Sequence, residues 1–469
     1  MPEAPRTPRP YQTKAIADLR IAMRQHKRVL LQLPTGAGKT FIASTVAKGA
    51  AGKGKRVVFL VHRAELLDQT SRTFTEEGID HGLIIAGEPT PDAQVLVAMV
   101  QTLARRLDKV PTPDLVFCDE AHHAVAGTWS RIMAAWPEAY AVGLTATPER
   151  LDGRGLGDVF AHMVQGPTVA ELITQGYLSK YKAFAPSNLD LAGVRTRMGE
   201  YDNEDVSAII DKPAIIGDII EHYKRLAMGK RAILFATNVK HSENLVAAFK
   251  AAGISAAHVD GETPKELRKQ LVADFVSGAI QVLSNCELFG EGFDVPAVEV
   301  VILARPTQSL GLYLQQVGRA LRPSQGKEYA IVLDHVGNIS RHGLPDDHRE
   351  WSLESQARRQ RKNEPIGPVV KQCPVCFCCH RPTSICPECG HQYAPMVQEL
   401  ETKAGILHEV ERPEDWAYGI NLVTARGRDW ACLLEAAGAN ETRLRQIARA
   451  RGFKRGWVQH RLQELEVAA

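Results

Sequence analysis

The segment Leu33-Pro34-Thr35-Gly36-Ala37-Gly38-Lys39-Thr40 follows an apolar run and opens a stretch of helical length. Two glycines let a backbone curl until its N–H groups converge on phosphate oxygens, and the next helix N-terminus adds a favourable dipole. Pro34, Thr35, Gly36, Ala37 and Gly38 are therefore a candidate phosphate cradle. Lys39 would neutralise β- and γ-phosphate charge, and the Thr40 hydroxyl would ligate Mg²⁺. Leu33 stands where the usual pattern has its first glycine.

A second constellation is Asp114-Leu115-Val116-Phe117-Cys118-Asp119-Glu120-Ala121-His122-His123, an apolar strand ending in two acids. Consecutive carboxylates at a strand tip suit a metal and a water: Asp119 would hold Mg²⁺, and Glu120 would orient and polarise the attacking water. His122 and His123 offer a zinc alternative, but no further ligands stand nearby at metal spacing. Arg319 and Arg322 lie three apart on a predicted helix, hence on one face. Guanidinium groups supplied from a second body stabilise γ-phosphate charge in the transition state and make hydrolysis depend on closure. A surface salt-bridge pair is the other reading of the two arginines.

Six of the nine cysteines fall between Cys373 and Cys389, a clustering that favours a metal in a reducing compartment over a disulfide framework. Cys373-Pro374-Val375-Cys376 and Cys386-Pro387-Glu388-Cys389 are two knuckles, each able to bring two thiolates to one ion. Cys373, Cys376, Cys386 and Cys389 are thus candidate Zn²⁺ ligands in a compact zinc ribbon or knuckle pair. Cys378, Cys379, His380 and His391 could replace one ligand or merely pack around the module, and iron is a further alternative. Four thiolates leave no open position, so the metal would be structural.

The elements that must position these groups follow from apolar patterning. Short β-branched or apolar runs at 29–32, 57–61, 95–100, 115–118 and 140–144 form one series, and runs at 232–236, 280–283, 298–303 and 329–333 a second. Such runs suit strands buried on both faces of a parallel sheet. Helix starts intervene, as at Thr263-Pro264-Lys265-Glu266, and the alternation predicts α/β architecture. Composition breaks place domains at residues 1–178 and 179–348, a basic linker at 349–368, the cysteine module at 369–397 and a helical region at 398–469. At roughly 150 residues per domain, 469 residues suit about three domains. Apolar and charged fractions of 44% and 24% exclude a disordered or collagen-like chain. The net charge of +3 neither predicts nor excludes a nucleic-acid partner. No apolar run approaches the roughly 18 residues of a membrane span, and residues 1–10 lack the apolar core of a secretory signal.

The ordered motifs resemble those of superfamily 2 helicases with a DEAH-type box, over roughly residues 9–340. Arg9-Pro10-Tyr11-Gln12 is similar to the adenine-sensing Q motif, Leu60-Val61-His62-Arg63-Ala64-Glu65-Leu66 to motif Ia, and Val100-Gln101-Thr102-Leu103 to the next strand-contacting motif. Thr145-Ala146-Thr147-Pro148 resembles motif III, Gly290-Glu291-Gly292-Phe293-Asp294-Val295-Pro296 motif V, and Gln315-Gln316-Val317-Gly318-Arg319-Ala320-Leu321-Arg322-Pro323 motif VI. The resemblance implies two tandem RecA-like P-loop lobes with ATP and Mg²⁺ between them, followed by the zinc module and the helical region. It implies Arg9 and Gln12 at the adenine and Gly292 and Asp294 near the ribose. It assigns His122, Thr145, Thr147 and Gln315 to coupling, and His62, Arg63, Gln101 and Thr102 to nucleic acid.

The activity implied is ATP-dependent helicase or translocase action, on DNA rather than RNA by analogy with bacterial and phage DNA helicases, in the cytoplasm. The alternatives are a double-strand translocase, the motor subunit of a restriction-type complex, and a zinc-bearing scaffold without turnover. The zinc module or the C-terminal region could also meet a protein partner. Residues 443–461 carry Arg443, Arg445, Arg449, Arg451, Lys454, Arg455 and Arg461 with Phe453 and Trp457 interleaved. This run reads either as a phosphate-tracking surface with stacking residues or as a solvated helix face over a small core.

Overall fold

The computed structural model describes residues 6–123, 127–149, 154–185, 191, 193–197, 199–286, 288, 298–355, 370–394, 412–454 and 456–467. Two compact units divide the chain, residues 1–395 and 396–469.

In the larger unit the first sheet contains β1 (Arg28–Gln32), β2 (Val57–Val61), β3 (Gly82–Ile84), β4 (Val95–Met99), β5 (Leu115–Cys118), β6 (Tyr140–Thr145) and β7 (His162–Gln165). All seven are parallel, in the order β3-β4-β2-β5-β6-β1-β7. Alternate residues face opposite layers. Val57, Phe59 and Val61 join a core with Ile42, Val46 and Phe74 from the helices Lys39–Ala51 and Ala64–Glu76. Val58 and Leu60 join the opposite core with Leu103, Trp129, Ile132 and Phe160. Burial on both faces explains why these strands read as continuous apolar runs.

The chain then enters a second sheet with β8 (Tyr181–Phe184) and makes a small antiparallel pair, β9 (Thr196–Arg197) with β10 (Glu200–Tyr201). It continues through β11 (Ala232–Ala236), β12 (Ala256–Val259), β13 (Val282–Asn285), β14 (Val300–Ala304) and β15 (Ala330–Asp334). The order is β12-β13-β11-β14-β15-β8, again parallel. Beyond β8 the sheet goes on: β17 (Cys378–His380) pairs antiparallel with β8, and β16 (Lys371–Gln372) pairs antiparallel with β17. The cysteine-rich segment is therefore built onto the edge of the second sheet. Residues 351–353 return to the first lobe, where the Leu353 carbonyl accepts from Gly157 N at 3.0 Å and that of Trp351 from Gln165 Nε2 at 3.1 Å.

The smaller unit is helical, with Pro413–Trp416, Arg428–Ala437, Glu441–Arg451 and Trp457–Val467. Its core gathers Trp416, Leu433, Leu444, Ile447 and Val458, with Trp430, Phe453 and Trp457 packed against it. Arg451 stacks on Trp430 at 4.1 Å and donates to the carbonyls of Leu422 and Ala425. Arg443 donates to Ala436, and Arg445 and Arg461 pair with Glu441 and Glu464. Four of the seven basic residues in the run thus serve the unit's own structure. Arg449 and Lys454 are exposed, and Arg455 lies outside the described residues.

Candidate nucleotide site between two lobes

The phosphate loop leaves β1 at its carboxyl end, and the peptide N–H of Leu33 donates to Thr145 of β6 at 3.0 Å. Gln32 Nε2 donates to the Ala146 carbonyl at 2.9 Å, binding the loop's root to residues 145–148. Gly36 and Gly38 have φ of 86° and 82°, left-handed values that L side chains resist. Gly38 ends the loop and Lys39 begins the helix, with Thr40 half-buried in its first turn.

Gln12 meets this loop from behind: its Nε2 donates to the Ala37 carbonyl at 3.1 Å, beside the Tyr11 hydroxyl at 2.8 Å. A Cβ on Gly38 would lie 2.6 Å from that Nε2. The Arg9 backbone N–H donates to Gln12 Oε1, and its guanidinium lies 5.0 Å above the Tyr177 ring. Tyr177 is a neighbour that sequence reasoning missed, because nothing local marks it.

In the sheet order β5-β6-β1, Asp119 and Glu120 leave β5 two strands from the loop's root. Glu120 adopts φ 46°, a left-handed conformation that strains an L residue by roughly 1–2 kcal/mol. Strain of this kind concentrates at functional sites. His122 Nδ1 lies 3.5 Å from Glu120 Oε2 and 3.4 Å from Thr145 Oγ1. The Thr145 hydroxyl donates to the Thr147 carbonyl at 2.8 Å. One polar chain therefore joins the acidic box to residues 145–147.

The second lobe closes the site with the helix Leu310–Ala320, which is N-capped by Ser309. Gln315 Nε2 donates to Glu120 Oε2 at 3.4 Å. Gly318 sits so close to the phosphate loop that a Cβ there would lie 2.6 Å from Thr35 Cβ, and one on Gly311 would lie 2.7 Å from Thr147 Oγ1. These glycines are two helical turns apart, on one face. Arg322 Cγ would lie 3.6 Å from a Cβ on Gly36. Arg319 is buried. The arginine helix and Lys39 thus share one cleft.

Its electrostatics are those of a crowded charge cluster. Burial lowers the Lys39 pKa; Glu120 and Asp119 oppose the shift, and Arg319 and Arg322 add to it. Burial and then the neighbouring Glu120 push Asp119 up to about 7, with Lys39 opposing. Burial alone brings Arg322 down to about 10. Three cations face two carboxylates, a positive surplus that suits a polyphosphate with a divalent metal.

His62 and Arg63 follow β2, and Gln101 and Thr102 follow β4. These strands are neighbours, with Val61 opposite Met99, so both segments emerge side by side. Gln101 is exposed, and Arg63 and Thr102 are half-buried. Gly292 and Asp294 lie outside the described residues.

Cys373 and Cys389 sulfurs are 3.6 Å apart, those of Cys376 and Cys386 3.7 Å, and all four lie within 4.8 Å of one another. Among the described residues these four form the one cluster suited to a metal. Cys378 and Cys379 belong to β17, where Cys378 joins the core that holds Cys373 and Cys386 while Cys379 joins the opposite one, and His380 Nε2 meets the Tyr393 hydroxyl at 2.7 Å.

Residues 6–150 match the family model described as Type III restriction enzyme, res subunit, and residues 211–324 match Helicase conserved C-terminal domain. The chain belongs to the superfamily 2 helicases. It is 37% identical over 384 residues to a 51.5 kDa protein of a Lactococcus phage (isolate 7-9), covering 81% of each. A Saccharomyces cerevisiae protein, IRC3, that carries the name of an ATP-dependent helicase is 32% identical over 357 residues, or 71% of this chain. The match takes in 52% of that relative, so the chain spans about half its length. A solved fragment from Vibrio vulnificus YJ016, described as an HsdR subunit of a type I restriction enzyme, superposes with a TM-score of 0.58 at 23% identity. That match covers 72% of this chain and 66% of the fragment, and shows the shared two-lobed fold. Among the described residues no helix is long and apolar enough to cross a membrane.

Proposed function

We propose that this superfamily 2 helicase hydrolyses ATP in the cleft between its lobes and uses the cycle to step along DNA. The observation that carries the reading is the contact of Gln315 with Glu120, made beside Lys39, Arg319 and Arg322 by elements from both sheets. Lys39 and the loop from Pro34 to Gly38 would hold the triphosphate, while Thr40 and Asp119 hold Mg²⁺. Glu120 would orient the attacking water, and Arg319 and Arg322 would take up charge developing on the γ-phosphate. The magnesium supplies charge neutralisation. Gln12 and Arg9 would read the adenine, with Gly292 and Asp294 near the ribose.

Product release would break the reason for closure and let the lobes part. His122, Thr145, Thr147 and Gln315 would pass that change between the lobes. His62, Arg63, Gln101 and Thr102 would hold backbone phosphates, giving affinity with little base readout. DNA is preferred by analogy with bacterial and phage DNA helicases, and a relative from Sulfurisphaera tokodaii that is 24% identical over 372 residues is named a DNA 3'-5' translocase. The first lobe's match to a restriction-enzyme subunit supports a second reading, a motor that serves a separate nuclease.

We assign the lobes to residues 1–178 and 179–348, a basic linker to 349–368, the cysteine module to 369–397 and the helical region to 398–469. Cys373, Cys376, Cys386 and Cys389 would hold structural Zn²⁺. Thiolates about 2.3 Å from zinc in a tetrahedron stand about 3.8 Å apart, close to the spacings present. The metal supplies a cross-link between the two knuckles.

The test is ATP hydrolysis by the full chain with single-stranded DNA, duplex DNA, forked DNA and RNA, alongside Lys39→Ala and Glu120→Gln. Stimulation by DNA that both variants abolish is expected. Full activity in both variants removes the mechanism, and stimulation by RNA alone removes the DNA assignment.

A further inference from the structure

The arginine helix ends where its chemistry is concentrated. The last four carbonyls of any helix lack partners within it and carry the negative end of the dipole. Here the helix stops at Ala320, between Arg319 and Arg322. Three successive carbonyls follow Arg319, those of Ala320, Leu321 and Arg322. Each has a partner from outside the helix. Ser179 N donates to Leu321 at 2.7 Å, and the Ser179 hydroxyl to Arg322 at 3.3 Å.

The remaining partner is one ammonium group. Lys327 Nζ donates to the carbonyls of Ala320 and Arg322, the latter at 2.9 Å, and to Val298 at 2.8 Å. Val298 stands just before β14 and two positions after the run Gly290–Pro296. The lysine reaches this point because the chain doubles back: Lys327 N donates to Ser324 at 3.2 Å, and Gly326 takes φ 80°. Burial pushes the ammonium down to about 8, with Glu299 opposing and Lys230 adding to the fall. A cation is therefore still carried at neutral pH.

We infer that Lys327 is a positioning residue for the arginine pair, its charge pinning the helix end so that Arg319 and Arg322 are presented to the γ-phosphate. All three donors of the ammonium are used, one on the residue after Arg319 and one on Arg322 itself. A neutral aliphatic chain would fill the space but take this partner from the Ala320 carbonyl and leave the Arg322 carbonyl to the Ser179 hydroxyl alone. Arginine keeps the charge and the donors.

This inference rests on the hydrolytic reading of the cleft, and the test separates the two. DNA-stimulated ATPase of the full chain is measured for wild type, Lys327→Met, Lys327→Arg and Lys39→Ala. Lys327→Met is expected to lower kcat about tenfold, part of the 10³- to 10⁵-fold that an aimed arginine is worth. KM for ATP should stay within about threefold, because the triphosphate cradle is untouched. Lys327→Arg should recover kcat to within about threefold of wild type. If Lys327→Met folds poorly, Lys327→Gln, which keeps a donor without charge, takes its place under the same criteria. A kcat within about twofold of wild type for the neutral variant, or equal loss in the arginine variant, overturns the inference. Undiminished turnover in Lys39→Ala overturns instead the reading on which it rests.

Discussion

Arg268, in the second lobe, donates to the Glu65 carboxylate of the first at 2.5 Å, across 203 residues of chain. The same guanidinium donates to the carbonyls of Asp260, Gly261 and Thr263, so it braces the turn between β12 and the helix Lys265–Ser277. Glu65 lies in the first turn of the helix that follows His62 and Arg63. The pair therefore ties lobe closure to a candidate nucleic-acid segment. Its side chains are 17% and 26% exposed, less wet than an ordinary surface pair. Glu65→Ala should weaken closure by about 1 kcal/mol, raising the DNA needed for half-maximal ATPase roughly fivefold. A double-mutant cycle with Arg268→Ala measures the coupling, and zero coupling would refute the bracing role.

Gly318→Ala separates stability from turnover. Alanine favours a helix over glycine by about 1 kcal/mol, yet its methyl would meet Thr35 at 2.6 Å in the closed cleft. We expect Tm at or above the wild-type value and kcat lower by at least about tenfold. Calorimetry and steady-state ATPase on one preparation decide it; lower Tm with unchanged kcat would contradict the close approach.

Cys386→Ser should abolish zinc in elemental analysis and lower Tm by about 5 °C or more. The second sheet should share this loss, because β17 pairs directly with β8. Hydrogen exchange at residues 181–184 is the local readout. Protection there unchanged by the substitution would show that the module and the sheet fold separately.

Acid should act first on the second lobe. Burial holds the His335 imidazole at about 3, and those of His241 and His342 at about 4, against 6.5 for an open histidine. Below about pH 6.5 the unfolded chain takes up protons that these buried rings refuse, so unfolding gains. The contribution is complete above 6.5 and drains away as pH falls toward about 4. Tm should drop between about pH 7 and about pH 5; a flat profile would exclude it.

Lys39 could be placed from residue order because it begins a helix, and Asp119 and Glu120 because they follow a strand, whereas Arg319 and Arg322 stand at a helix's end. Val57–Val61 and Ala232–Ala236 were visible as strands because both faces are buried. By contrast β7 (His162–Gln165) and β12 (Ala256–Val259) stand at sheet edges, where His162 is exposed and His258 half-exposed, so no continuous apolar run announces them. The second series also ran early: β13 begins at Val282 and β14 at Val300, since Ile280 and Val298 are apolar but precede the ladder. The Gln315–Glu120 and Arg268–Glu65 contacts were not legible, because no local rule relates residues about 200 apart that meet only when two sheets approach.

A pair of cysteine knuckles stitched to the rim of the second lobe has an effect that reaches past any metal it holds. Without β16 and β17, the flank of β8 would become an unprotected strand, ready to recruit a neighbour's backbone. Loss of that metal or trimming of the chain near residue 370 should then show first as clumping, with the nucleotide pocket still whole.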